Sequence, residues 1–280
     1  MTEPRTLAPP ERRVARVSGV ERLGAYHLIT AHDASGPGDP RPGQFYMLAA
    51  EECWGGGGDE RPYLPRAFSY ARAWLESASA SSGEAGVSLC FLLEAIGPGT
   101  ERLAALKPEE GLGLVGPLGI GFGPPAEGTR PILVGGGIGA APLLCLQEEL
   151  PDTTLLLGFR SAAHAQAAAL FAGEPQVVTD DGSVGRQALV TELLAAELDA
   201  DPGATVFACG PPPMLEAVRA LCAERGVAAR LALESGMACG FGACFGCVVP
   251  TTDGYLRLCV DGPVLDAARL ETALFAGAGH

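Results

Sequence analysis

Four cysteines crowd one stretch of the chain: Cys239, Cys244, Cys247 and, after eleven intervening residues, Cys259. The opening C-x4-C-x2-C is the plant-type spacing in which four thiolates hold the two irons of a [2Fe-2S] cluster. Thiolates must converge on one compact group, so three come from a tight loop and one from a returning strand. Gly240, Gly242 and Gly246 let that loop curl and point its amides at the sulfurs, which offsets part of the cluster's charge. A structural zinc site also uses four cysteines, usually as two short-spaced pairs, whereas Cys259 has no near neighbour in sequence. The other five of the nine, Cys53, Cys90, Cys145, Cys209 and Cys222, stand singly and read as small buried hydrophobes.

A second chemistry is that of phosphate. Ile132-Leu133-Val134 runs into Gly135-Gly136-Gly137-Ile138-Gly139 and then a helix start. Glycines there let a pyrophosphate approach the backbone at the positive helix end, although the spacing is not the strict dinucleotide fingerprint. The stretch Val206–Ala208 leads into Cys209-Gly210-Pro211, which would bring a polarizable thiol to the ligand-binding carboxyl edge of the same sheet, suited to lie beside a nicotinamide ring. Arg66, on a strand with Ala67, Phe68 and Ser69, can clamp a pyrophosphate, and Ser69 can hydrogen-bond a ring. Gly97-Pro98-Gly99-Thr100 opens a short helix with Leu103 and Leu106 on one face and Thr100 as its expected N-cap. Arg160, just past a second strand, would welcome a 2′-phosphate where an acidic residue would select NAD.

Two kinds of element must position these groups. Up to about residue 126, short apolar runs at 13–18, 25–31, 44–48, 67–71, 87–95 and 112–115 alternate with turn-rich stretches, the pattern of a small antiparallel barrel. Gly55–Gly58 and Ser77–Gly86 read as loop tips. Residues 127–233 change rhythm. Strands at 132–134, 154–157, 176–179, 205–208 and 228–233 alternate with helices at 140–150, 162–171, 187–198 and 212–225, as a doubly wound parallel sheet requires, with Gly226 placed to end the last helix. Residues 234–280 form a Gly/Cys-rich segment too short for its own core, so something other than packing should organise it. There is no internal repeat. A net charge of −14 and 19% charged residues describe a globular chain without a nucleic-acid or anionic-membrane partner. The amino terminus lacks the apolar core of a secretory signal, and the longest apolar stretch, 131–146, is too short and glycine-rich to span a bilayer. The chain is therefore expected in the cytoplasm, where disulfides are disfavoured.

In order, the R-x-x-S strand, G-x-G-T loop, G-G-G-I-G loop and C-G-P element resemble the ferredoxin–NADP reductase superfamily. With the cysteine cluster placed last, the resemblance narrows to the electron transfer subunits of B-type dihydroorotate dehydrogenases. It is carried by Gly116–Phe122, Leu133–Leu143, Gly158-Phe159-Arg160-Ser161, Thr179–Ser183, Cys209–Leu215 and, most specifically, Leu233–Cys247. The resemblance implies a Greek-key barrel holding FAD, a nucleotide domain receiving NAD and a small C-terminal [2Fe-2S] domain facing a partner. Arg66, Ala67, Phe68, Ser69, Leu92, Leu93, Glu94, Gly99 and Thr100 would bind FAD. Gly135, Gly136, Gly137, Ile138, Gly139, Cys209, Gly210 and Pro211 would receive NAD, and Cys239, Cys244, Cys247 and Cys259 would ligate the cluster. No catalytic acid or base is expected, and the four histidines show no ligand spacing. Ala67 stands where the family commonly has proline, Ile120 where a polar residue is frequent, and Glu94 puts an acid near a pyrophosphate. The implied function is to carry electrons between NAD(H), FAD and the cluster for an FMN-containing dihydroorotate dehydrogenase subunit, in a heterotetramer of pyrimidine biosynthesis. The alternatives are a relative serving a hydrogenase, transhydrogenase or oxygenase, or a zinc-bound interaction module without flavin.

Overall fold

Alternating side chains fold the first part of the chain into a closed barrel. Arg13–Leu23 (β1) begins with strictly alternating buried and exposed residues, the period of a strand with one face on a core. Its companions are Tyr26–Asp33 (β2), Phe45–Ala50 (β3), Arg66–Glu76 (β4), Gly86–Glu94 (β5) and, after helix Pro98–Ala104 (α1), Gly111–Leu118 (β6). The barrel closes in the order β1-β2-β5-β4-β3-β6, all pairs antiparallel. The hairpin run β3-β4-β5 with β6 returning beside β3 is a Greek key. Tyr46 lies in the interior, edge-on to Tyr70 and Phe91, and the Arg13 guanidinium reaches buried Asp33 at 2.9 Å and the Gly116 carbonyl at 2.6 Å. The computed structural model describes residues 11–51, 64–76, 85–150, 152–275 and 277; Cys53, the Gly55–Gly58 tip, most of the Ser77–Gly86 tip and His280 lie outside the described residues.

The second unit is a seven-stranded sheet in the order β10-β9-β8-β7-β11-β12-β15. Its parallel members are Arg130–Gly136 (β7), Thr154–Phe159 (β8), Gln176–Thr179 (β9), Arg186–Gln187 (β10), Ala204–Cys209 (β11) and Ala228–Ala232 (β12). Helix Ala141–Glu149 (α2) covers one face, while Val190–Ala200 (α4) and Pro212–Arg225 (α5) cover the other. Gly226 ends α5 at φ 65°, as expected. Two helices depart from expectation. The stretch 162–171 is one α-turn, Ala162–Ala165 (α3), followed by 3-10 helix. The stretch from Gln187 begins instead as β10, with the helix delayed to Val190: Arg186 and Gln187 find strand partners in Val178 and Thr179.

Residues beyond Ser235 do not lack packing. Val248–Thr251 (β13) and Gly254–Arg257 (β14) form a hairpin, Leu258–Asp261 (α6) a single turn, and Val264–Asp266 (β15) joins the sheet antiparallel to β12. Cys247, Val249, Leu258, Cys259 and Leu265 share one continuous apolar cluster with Val206, Val218 and Leu231 of the sheet and α5. The segment needs no core of its own because it borrows one face of the sheet's. Among the described residues no helix is long and apolar enough to cross a membrane.

Candidate cofactor site

A cleft of about 630 Å³ opens where the barrel meets the carboxyl edge of the sheet. Three walls matter. Arg66, Ala67, Phe68 and Ser69 of β4 form the first, Ile138, Gly139 and Cys209 the second, and the run from Leu233 to Ala238 the third. Leu92, Glu94 and Thr100 also border it. The alternation of β5 sends Leu93 the other way, into the barrel core, and it does not line the cleft. Sequence reasoning missed Phe45, Ile96, Met237 and Ala238, which are ordinary apolar residues until folding gathers them.

Arg66 lies across the start of α1: a Cβ on Gly99 would meet its Nη2 at 3.2 Å, so a glycine is what lets the guanidinium settle against that turn. Thr100 is not the N-cap expected. Gly97 takes that place, and Thr100, three residues into the helix, accepts the Gly97 and Ile96 amides at 3.1 and 3.0 Å. The glycine loop is tight for packing as well as approach. A Cβ on Gly139 would run into the Cys209 carbonyl and lie 2.6 Å from the Gly210 amide nitrogen. Gly135 and Gly136 are buried and do not reach the cleft, and Pro211 is exposed outside it. Cys209 is buried, and desolvation followed by the nearby Glu234 charge holds its thiol well above its ordinary range. Glu234 borders the cleft, and desolvation by the surrounding protein raises its carboxyl too.

Glu94 is not left as an unpaired acid at the cleft. Its carboxylate turns to the sheet, onto Arg160 at 2.8 Å and His164 at 3.3 Å. Ile120 does not line the cleft but bridges to Pro263, which does, and its amide donates to the Gly262 carbonyl, tying the barrel's exit to the last segment.

The third wall runs directly into the cysteines: Ala238 borders the cleft and Cys239 follows it. The four sulfurs fall into two pairs. Cys247 and Cys259 stand 3.2 Å apart, and Cys239 is hydrogen-bonded to Cys244. Among the described residues no three ligating side chains converge on one ion; two pairs are what a binuclear cluster with four thiolates needs. Gly240 and Gly242 take φ of 78° and 86°, the left-handed geometry open to glycine. Backbone amides point at sulfur as expected: Gly246 to Cys244 at 3.4 Å and Cys259 to Cys247 at 3.5 Å. Burial raises the Cys239 thiol, but amides of Cys244, Phe241 and Ala243 and the Cys244 side chain outweigh it and bring it down to about 7. Burial and the Cys247 thiol push Cys259 up to about 12. The donor set therefore fits a thiolate-held cluster, with Cys244 exposed and Cys247 and Cys259 buried.

An antiparallel barrel, a doubly wound sheet and a cleft between them running into a four-cysteine loop define a ferredoxin reductase-like electron-transfer protein. The fold is shared with an NADH-dependent reduced ferredoxin-NADP oxidoreductase, at a TM-score of 0.72 and 22% identity over 92% of this chain and 90% of that one. A ferredoxin reductase of carbazole 1,9a-dioxygenase follows at 0.61 and 22%, over 79% and 67%. Residues 234–271 match the iron-sulfur cluster binding domain of dihydroorotate dehydrogenase B. The dihydroorotate dehydrogenase B (NAD(+)) electron transfer subunit of Caldanaerobacter subterraneus is 36% identical over 80% of this chain and 85% of its own. That of Clostridium perfringens is 30% identical over 89% and 92%, and that of Bacillus caldolyticus 42% over 62% and 70%. The chain belongs to the family of dihydroorotate dehydrogenase B electron transfer subunits.

Proposed function

We propose that this chain relays electrons between NAD(H) and the FMN-containing catalytic subunit of a dihydroorotate dehydrogenase, through FAD in the cleft and a [2Fe-2S] cluster on the four cysteines. When bound, FAD and the cluster supply hydride and single-electron chemistry. The chain's own part is to hold, orient and shield. Arg66 would take the flavin pyrophosphate, with Gly99 and Thr100 shaping the turn beneath it, and Ser69 would hydrogen-bond the ring. Ala67, Phe68 and Leu92 would flank the flavin, with Leu93 and Glu94 contributing backbone. Ile138 and Gly139 would admit the dinucleotide beside the uncharged Cys209, while Gly135, Gly136, Gly137, Gly210 and Pro211 set the shape of that loop.

The observation that carries this reading is continuity: one wall of the cleft, Leu233 to Ala238, leads without a break into Cys239. Cluster and flavin site are therefore neighbours along the chain. A heterotetramer with the catalytic subunit, a place in pyrimidine biosynthesis and a cytoplasmic location complete the proposal. The location is supported by cysteines that are all free among the described residues, as a reducing compartment keeps them. An anaerobic visible spectrum before and after NADH, with iron and flavin quantified, tests it. Bleaching of a flavin-plus-cluster spectrum with about two irons per chain, and reduction by dihydroorotate only with the catalytic subunit present, are expected. A colourless chain holding zinc removes the function and leaves the fold.

A further inference from the structure

Barrel and sheet are tied together beside the glycine loop by charges that the cofactor reading leaves unused. Arg160, at the end of β8, donates through one Nη to both oxygens of Glu94, at 2.8 and 2.9 Å. His164 Nε2 lies 3.3 Å from one of those oxygens, and its Nδ1 is 2.9 Å from Ser161 Oγ. Tyr26 meets His164 edge-on with centroids 5.6 Å apart, and its hydroxyl lies 3.8 Å from where a Cβ on Gly137 would stand. The set therefore sits against the loop, and Glu94 borders the cleft itself.

The two partners are unequally held. Arg160 is 66% exposed and Glu94 22%, and Glu94 closes a barrel strand whereas Arg160 leaves the sheet. The guanidinium is the partner free to move, and exposed ion pairs of this kind hold weakly in water. An anionic pyrophosphate entering at the loop would meet Glu94 as a like charge and Arg160 as an opposite one, and an arginine bonds phosphate with charge-assisted, bidentate geometry.

We infer that Arg160 is a phosphate-binding residue held in reserve on Glu94, its guanidinium turning from that carboxylate to the pyrophosphate of a dinucleotide arriving at the Gly135–Gly139 loop. This rests on reading that loop as the dinucleotide site. It also revises the sequence expectation for Arg160: an arginine shared between Glu94 and the pyrophosphate does not read the ribose 2′ position.

Calorimetric titration of ADP-ribose, which carries the pyrophosphate and no nicotinamide, into the flavin- and cluster-loaded chain tests this without turnover. Arg160→Gln, on an exposed side chain, is expected to weaken ADP-ribose roughly tenfold, the loss of one charge-assisted hydrogen bond, and Arg160→Lys to recover part of it. Glu94→Gln, compared at equal flavin content, is expected to tighten ADP-ribose severalfold. Equal affinity in the unsubstituted and Arg160→Gln chains overturns the inference, as does a Glu94→Gln chain that binds no more tightly. If the unsubstituted chain binds no ADP-ribose at all, the dinucleotide reading of the loop falls first.

Discussion

The cluster cysteines differ in setting, Cys244 exposed and Cys247 and Cys259 buried, which makes single substitutions informative. Cys259 is buried beside Cys247; as a proposed ligand, its replacement in Cys259→Ala would leave one iron a thiolate short and is expected to abolish the cluster, with iron per chain falling from about two to near zero. Flavin is expected to stay, because the proposed flavin residues lie on the barrel wall of the cleft; iron and flavin assays on one sample check both. Arg66 offers the opposite case. On the proposed reading, Arg66→Ala takes away the charged partner of the flavin pyrophosphate, a loss of about 1.5–3 kcal/mol, and should weaken FAD at least tenfold while iron content is unchanged, as equilibrium dialysis would show. At Gly139 the obstacle is backbone: a Cβ there meets Cys209 and Gly210 atoms that no rotamer can move. Gly139→Ala is expected to cost about 1–3 kcal/mol, read in thermal melting, together with a raised KM for NADH.

At the scale of elements, the chain's last described turn is pinned to α5 by one carboxylate. Glu216 accepts the Ala273 amide at 2.6 Å and the Thr272 hydroxyl at 3.0 Å, and pairs with Arg219 at 2.7 Å. The Arg219 bond, against some desolvation, and then the Ala273 and Thr272 bonds hold its carboxyl down at about 2, from an ordinary 4.5. A depressed carboxylate stabilises the fold above its unfolded pKa and loses that contribution as pH falls through its folded one. Stability is therefore expected to drop between pH 4.5 and pH 2, by on the order of 1 kcal/mol once solvent screening is allowed for. Glu216→Gln should remove this part of the acid dependence, measured by urea unfolding at stepped pH. The Thr100 result belongs here too: a threonine near a helix start caps either from the N-cap or from three residues in, and only the path of the chain at Gly97 decides which.

For the whole molecule, the cluster segment and the sheet share one apolar core, and this separates what the cluster organises from what packing organises. Removing iron with a chelator is expected to raise amide exchange across 239–259, where the loop has left-handed glycines and sulfur-bound amides. Leu231 and Leu265, paired between β12 and β15, should keep their protection. Hydrogen exchange with mass spectrometry distinguishes this from a segment that unfolds as a unit, in which β15 would lose protection together with the loop.

Local signals were legible without a structure. Short apolar runs between turn-rich stretches marked the barrel strands, glycine after a strand marked the βα loop, and the cysteine spacing marked the cluster; each depends on neighbours along the chain, where backbone geometry alone sets the outcome. Position in the third dimension was not legible. Leu92 and Leu93 are equivalent in type, and strand alternation sends one to the cleft and the other to the barrel core. His164 looked idle until α3 brought it to Glu94 of a different unit, and residues 264–266 read as part of a coreless tail until they paired with β12. Local sequence carried the barrel strands, most of the sheet and the chemistry of the cysteine loop, whereas β10 and β13 to β15 formed only where the chain found strand partners. Tertiary structure alone decided that Glu94 belongs with Arg160, that Glu234 opens into the cleft and that the cluster segment rests on the sheet. Those contacts join residues tens of positions apart, and their energies come from burial and charge pairing that exist only once the two units have packed.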